Sequence, residues 1–176
     1  GNTAPDTWLR LIEAYAGFVA RNGDKDKALK IIEQGQEIAP ERPSLLALKK
    51  LVETGGKVEP LISKPIDGFS EVLYNLGSAI RRDGAESFSK LYVQFALAAK
   101  PDNDIALLER ASLNEAMDMP QEAIADYKSI SATSAFRRGA ELQAGLVLAD
   151  VDRKDEAIKT LNALLEQDSS DKRAYL

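Results

Sequence analysis

Ser87, Ser89 and Lys90 are the nearest this chain comes to a nucleophile with a base beside it. A serine attacks a carbonyl only when a positioned base takes its proton, most often a histidine. The 176 residues include no histidine and no cysteine, so a Ser–Lys pair is the one formal arrangement left. The simpler reading of these three residues is an exposed helix surface. Glu109, Glu115, Glu122 and Asp126 supply carboxylates of the kind that hydrolyse glycosides in pairs. Acidic residues are scattered along every predicted helix, however, and solvated faces account for them. Without Cys or His there is no disulfide, no thiolate nucleophile and no Cys/His zinc site. Asn22-Gly23-Asp24-Lys25-Asp26 is not a calcium loop, because Lys25 interrupts the alternation of oxygen ligands that such a loop needs. Gly55-Gly56-Lys57 is not a phosphate loop: Leu51 stands where the pattern requires Gly, and Val58 where it requires Ser or Thr. The expectation is a chain with no catalytic residues, no metal and no cofactor.

The elements that carry these residues are helical by composition. Apolar residues make up 44% and aromatics only 6%, with Ala and Leu abundant, a bias that favours packed helices over strands. The formal net charge is −5, which gives no basic field for a phosphate backbone, so nucleic acid is not an expected partner. No apolar run approaches 18 residues, so no membrane-spanning helix is expected. Gly1 reads as a cloning remnant. Residues 172–176 read as the opening of a further helix, and the chain as a fragment of a longer protein.

A 34-residue period organises the helices. Gly77, Ala111 and Gly145 form one column at that spacing, and Ser89, Ala123 and Ala157 form a second. Val93, Tyr127 and Leu161 form a third, and Ala96, Ile130 and Leu164 a fourth. The repeats so defined cover 70–103, 104–137 and 138–171. An earlier copy at 9–42 supplies Ala16, Ala28, Ile32, Gly35 and Pro40. Each unit reads as two antiparallel helices, with the small residues at points of close approach. Pro40 and Pro101 stand where the second helix must stop. Asn22-Gly23-Asp24, Asp83-Gly84 and Asp118-Met119-Pro120 form the turns inside the units.

This pattern resembles the tetratricopeptide repeat family, over about four repeats and most of the chain. The family unit is a 34-residue helix–turn–helix with small residues at its eighth and twentieth positions and often a proline at the thirty-second. Departures are Ser89 for the usual Ala, Ala135 and Ser169 for the usual Pro, and Leu or Ile at most of the Trp and Tyr positions. The resemblance implies an all-α, right-handed α-solenoid of antiparallel helix pairs.

The period breaks in the middle, because Ala16 and Gly77 are 61 residues apart. Pro43 to Val52 reads as one amphipathic helix, and Gly55, Gly56, Pro60 and Pro65 forbid a long helix after it. The expected organisation is therefore a hairpin plus one degenerate repeat helix over 1–54, an irregular connector over 55–67, a helix from 68 to 83, and three regular repeats over 68–171. The connector reads either as a hinge or groove-crossing loop, or as a repeat that lost its second helix. The stretch Glu71–Gly84 also resembles long exported tetratricopeptide proteins of alphaproteobacteria. That likeness implies a bacterial envelope protein and favours the periplasm over the cytoplasm.

The family resemblance places positions two, five, nine and twelve of each first helix in a concave groove. Mapped onto this chain, the candidate protein-binding residues are Tyr74, Ser78, Arg81, Leu108, Ser112, Glu115, Leu142 and Leu146. Some family members clamp a C-terminal carboxylate with Lys, Asn and Arg, but this chain has Glu13, Gly17, Ile105 and Glu109 at those positions, with Asn75 the one coincidental match. Apolar groove residues point to a peptide or helix as the partner, unless the connector or a neighbouring copy fills the groove. The expected function is a non-catalytic protein–protein interaction scaffold. The alternatives are a regulatory or assembly domain of a larger bacterial envelope protein, or a module that self-associates through open solenoid ends.

Overall fold

Leu9, Ile12, Ala16 and Val19 recur every three or four residues, and a helix gathers them into one buried stripe. The same logic repeats along the molecule. The structure, a computed structural model, describes residues 6–81 and 84–167. Within them it contains nine helices and no strand: α1 (Asp6–Arg21), α2 (Lys25–Ile38), α3 (Pro43–Thr54), α4 (Pro65–Ile80), α5 (Glu86–Ala99), α6 (Asp104–Ala116), α7 (Pro120–Ser129), α8 (Arg137–Asp150) and α9 (Lys154–Gln167). Hairpins α1–α2, α4–α5, α6–α7 and α8–α9 stack through α5 on α6 and α7 on α8 into an all-α solenoid. The further helix expected at 172–176 lies outside the described residues, as does Asp83 of the expected turn.

The small-residue columns mark the close contacts. Ala16, Ala28, Ala111, Ala123 and Ala157 are fully buried. A Cβ built on Gly77 would lie 2.9 Å from Val93 Cγ2 and 3.1 Å from the Ser89 carbonyl oxygen, and one on Gly145 would lie 2.6 Å from Leu161 Cδ2. No side chain fits at either place without displacing its partner. Ser89, the departure from alanine, hydrogen-bonds through its hydroxyl to the Gly77 carbonyl at 2.8 Å. Its hydroxyl proton is committed to that carbonyl rather than to Lys90, whose ammonium lies against the Met119 sulfur.

The turns inside the units obey the period too. Gly23, Gly84, Asp118 and Asp152 all have positive φ (88°, 84°, 56° and 61°), and the last three stand 34 residues apart. Each reverses the chain after its first helix through one left-handed residue, which Gly adopts freely and Asp tolerates.

The irregular middle differs from the sequence reading at one boundary. The helix expected from 68 to 83 runs from Pro65 to Ile80, so the irregular stretch ends at 64. Pro65 takes the first helical position, where its missing N–H costs nothing. Asp67, two residues on, accepts hydrogen bonds from the Ser63 and Lys64 backbone N–H groups and from the Ser63 hydroxyl. These bonds satisfy groups that the helix start would otherwise leave orphaned. They hold the Asp67 carboxyl at about 2, below the ordinary carboxylate value; the Ser63 hydroxyl is the main cause, and Lys100 at 3.8 Å adds to it.

The apolar core falls into two main blocks and a small third one, Leu142, Leu161 and Leu164, between α8 and α9. Leu9, Ile12, Val19, Ile31, Ile32, Leu45 and Val52 form one within α1–α3. A second begins at Tyr74 in α4 and runs through the later repeats. The two blocks meet through charges. Arg10 of α1 donates to both carboxylate oxygens of Glu71 in α4, each at 2.7 Å, and to Glu13 at 2.9 Å. Glu13 also accepts from Arg42 and from the Ser44 hydroxyl, both at 2.5 Å. Arg10 and Glu13 are buried. Burial works against the Arg10 charge, but the hydrogen bonds and charges of Glu71 and Glu13 outweigh it and raise the guanidinium pKa.

Candidate functional site

Where the two blocks face each other, a cleft of about 1350 Å³ opens. One wall comes from the start of α1 (Thr7, Leu9) and from the turn between α2 and α3, Ile38 to Pro43. Pro40 follows the end of α2 and cannot continue it, and Pro43 takes the first position of α3. The opposite wall comes from Tyr74, Ser78 and Arg81 of α4, Ile105, Leu108 and Glu109 of α6, and Phe136 and Gly139 at the start of α8. The lining is largely apolar, and Ile38 is the most exposed of its large apolar side chains.

Most of the charges around the cleft are engaged with one another. Arg81 donates to Glu109 at 3.1 Å and to the Ser112 hydroxyl at 2.9 Å. Arg42 is held by Glu13. Tyr127 donates to Glu115, and burial followed by that bond raises its pKa above the ordinary phenol value. Behind α6, Asp126 accepts from Arg110 and Asn114. Two of the carboxylates with the right chemistry for glycoside hydrolysis, Glu115 and Asp126, are thus tied into hydrogen bonds that orient α6 on α7.

No protein-family model matches the sequence, and no curated protein sequence matches it. Solved structures do match. A tetratricopeptide repeat protein from Parabacteroides merdae superposes with a TM-score of 0.56 at 19% identity, over 94% of this chain and 56% of that one. YrrB, a tetratricopeptide repeat protein with an unusual peptide-binding site, superposes with a TM-score of 0.53 at 14% identity, over 93% of this chain and 88% of YrrB. This chain has the tetratricopeptide-repeat fold. It spans little more than half the length of the Parabacteroides protein.

In that fold the eight expected groove residues divide. Tyr74, Ser78, Arg81 and Leu108 line the cleft; Ser112, Glu115, Leu142 and Leu146 do not. Two of the expected apolar anchors are not free surface. Tyr74 is 2% exposed and joins the second core block, so only its edge reaches the cleft. Leu142 is 5% exposed, buried with Leu161 and Leu164, and Leu146 packs against the same cluster. The fifth position of a first helix lies on the border between groove and hairpin contact, and here the hairpin takes it. Arg81 is paired with Glu109. Among the lining residues that the sequence reading missed are Ile38, Pro40, Arg42 and Phe136, all in or beside turns. The prolines around 40 signal a stop and carry no sign that the turn forms a wall.

Proposed function

We propose that this chain is a non-catalytic scaffold that binds a polypeptide segment in the cleft between α1–α3 and the first helices of the later repeats. The carrying observation is the cleft's chemistry: a mostly apolar trough in which Arg42, Arg81 and Glu109 are already paired. Sites for small polar ligands converge unpaired polar groups on one point. A trough with Ile38, Ile105, Leu108 and Phe136 along it suits instead a run of apolar side chains on an extended or helical segment. YrrB, which shares the fold and has a peptide-binding site, supports the same reading. Because Glu109 and Ser112 hold Arg81, affinity would rest on apolar contact more than on a partner carboxylate.

The test is selection of peptides from a displayed random library on the wild-type chain, then titration calorimetry of the selected peptides. Replacing Ile38 and Leu108 with Glu is expected to weaken binding by more than about 2 kcal/mol, roughly 30-fold, while circular dichroism confirms the helices intact. Peptides that bind the double variant at full strength would place their site elsewhere.

A further inference from the structure

The α4–α5 hairpin shows solvent a face without charge. Every exposed residue from Pro65 to Ile80 and from Glu86 to Ala99 is uncharged. Six large apolar side chains dominate it: Phe69, Val72 and Leu76 on α4, and Phe88, Leu91 and Phe95 on α5, each between 44% and 68% exposed. They form one patch. The Ser70 hydroxyl bonds to the Ala96 carbonyl, which sets Phe69 level with Phe95, and the Ser89 hydroxyl bonds to the Gly77 carbonyl, which sets Leu76 level with Phe88.

The repeat shows that this patch is not a by-product of the fold. The positions equivalent to 88, 91 and 95 are Lys27, Lys30 and Gln34 on α2, Glu122, Ala125 and Ser129 on α7, and Glu156, Lys159 and Ala163 on α9, all exposed. Three hairpins keep these positions polar or small, and only α5 makes them Phe, Leu and Phe. On first helices, the positions equivalent to 72 and 76 are Leu11 and Tyr15 on α1, apolar and exposed as on α4, but Ala106 and Arg110 on α6 and Ala140 and Ala144 on α8, where a preceding repeat stacks. On α4 no preceding second helix stacks, and large apolar groups stand in the open.

A single donated helix that restored the missing half of the second repeat would have to lie on α3 as well. At the positions of Ala16 and Val19, α3 carries exposed Lys50 and Glu53, which would meet that helix with two charges. The occupant therefore needs the α4–α5 face alone. A neutral apolar surface can face an identical one with no like-charge repulsion. Six large side chains about half exposed offer on the order of 600 Å² per copy. Two copies together reach ~1,200 Å², the lower bound of a specific interface. We propose that two copies of this chain pair face to face through α4–α5, in a symmetric contact centred on Phe88, Leu91 and Phe95. That contact is independent of the cleft.

Sedimentation of the chain should show a mass that rises with concentration toward twice the 19.2 kDa of one copy. Phe88→Glu/Phe95→Glu, and separately Leu91→Arg, are expected to hold the mass at one copy while the circular dichroism stays helical. Ile38→Glu, at the cleft, is expected to keep the paired mass. A wild-type chain that stays single at its highest soluble concentration would overturn the proposal. So would a pair that survives both α5 variants, or one that dissolves instead on Trp8→Glu/Leu11→Glu, at large exposed apolar residues of α1.

Discussion

The later repeats and the junction before them join their parts by opposite means. In α6 and α8, Ala106, Ala140 and Ala144 are wholly buried, and small apolar contacts spread the stacking energy over many atoms. Between α1 and α4 the connection is Arg10 on Glu71, backed by Glu13, Arg42 and Ser44. The first kind of joint tolerates a lost methyl at modest cost. The second concentrates its energy in a few directional bonds, so removal of one partner leaves a buried charge uncompensated.

The largest test of that contrast acts on the ions. Arg10→Met is expected to destabilise by about 3–5 kcal/mol, because buried Glu13 and half-buried Glu71 lose their shared cation. Arg10→Met with Glu71→Leu should recover much of the loss, since no charge is then stranded on α4. Urea denaturation followed by circular dichroism measures both, and a single variant no less stable than wild type would show that the junction does not depend on the ion pair. The apolar joints give a smaller effect. Gly145→Ala forces a methyl against Leu161, and Ala111→Leu overfills a fully buried site; each should cost about 1–3 kcal/mol. Melting temperatures equal to wild type would refute the packing assigned to that column. In the opposite direction, Asp118→Gly should stabilise by about 0.5–1 kcal/mol, since Asp118 holds φ 56° in a turn that Gly23 and Gly84 make at no steric cost. A neutral or destabilising result there would mean that the aspartate side chain matters more than its backbone.

The last test concerns the start of α4. The folded Asp67 carboxyl sits at about 2, below its ordinary value of 3.8. A depressed carboxyl contributes stability above its unfolded value and loses it as pH falls through its folded value. Wild type and Asp67→Asn should therefore differ most above pH ~4 and converge as the pH falls toward about 2. Thermal melts across that range measure the gap; a gap that does not close in acid would remove the carboxylate from the cause.

Much of the architecture is legible in the sequence because the period exposes it. Ala16, Gly77, Ala111 and Gly145 mark the same contact in each hairpin, and a column of small residues at that spacing is what closely packed helix pairs require. The α4 boundary is misread when proline is weighed only as a helix breaker, because Pro65 followed by Asp67 is a helix start. The cleft is half legible. A period sets the phase of each helix, and phase alone brings Tyr74, Ser78, Arg81 and Leu108 to one wall. The other wall depends on how α1–α3 sits against α4, which rests on a contact between residues 61 apart in sequence, Arg10 and Glu71, that no periodic pattern encodes. Leu142 departs from expectation for a related reason: its helical position permits groove or hairpin, and Leu161 and Leu164 decide the matter from α9.

The unpaired α3 has a mechanical consequence. A stack of identical units behaves as a one-dimensional crystal, and a single helix set between two hairpins is a dislocation in it. Apolar stacking yields gradually under tension, because its many weak contacts fade over several ångströms. Charged hydrogen bonds at 2.7 Å fail over a fraction of that distance, as their strength falls steeply with stretch and tilt. A molecule pulled by its ends should therefore be ductile along α4–α9 and brittle at the dislocation, and a force-extension trace should begin with one abrupt rupture before any repeat unravels.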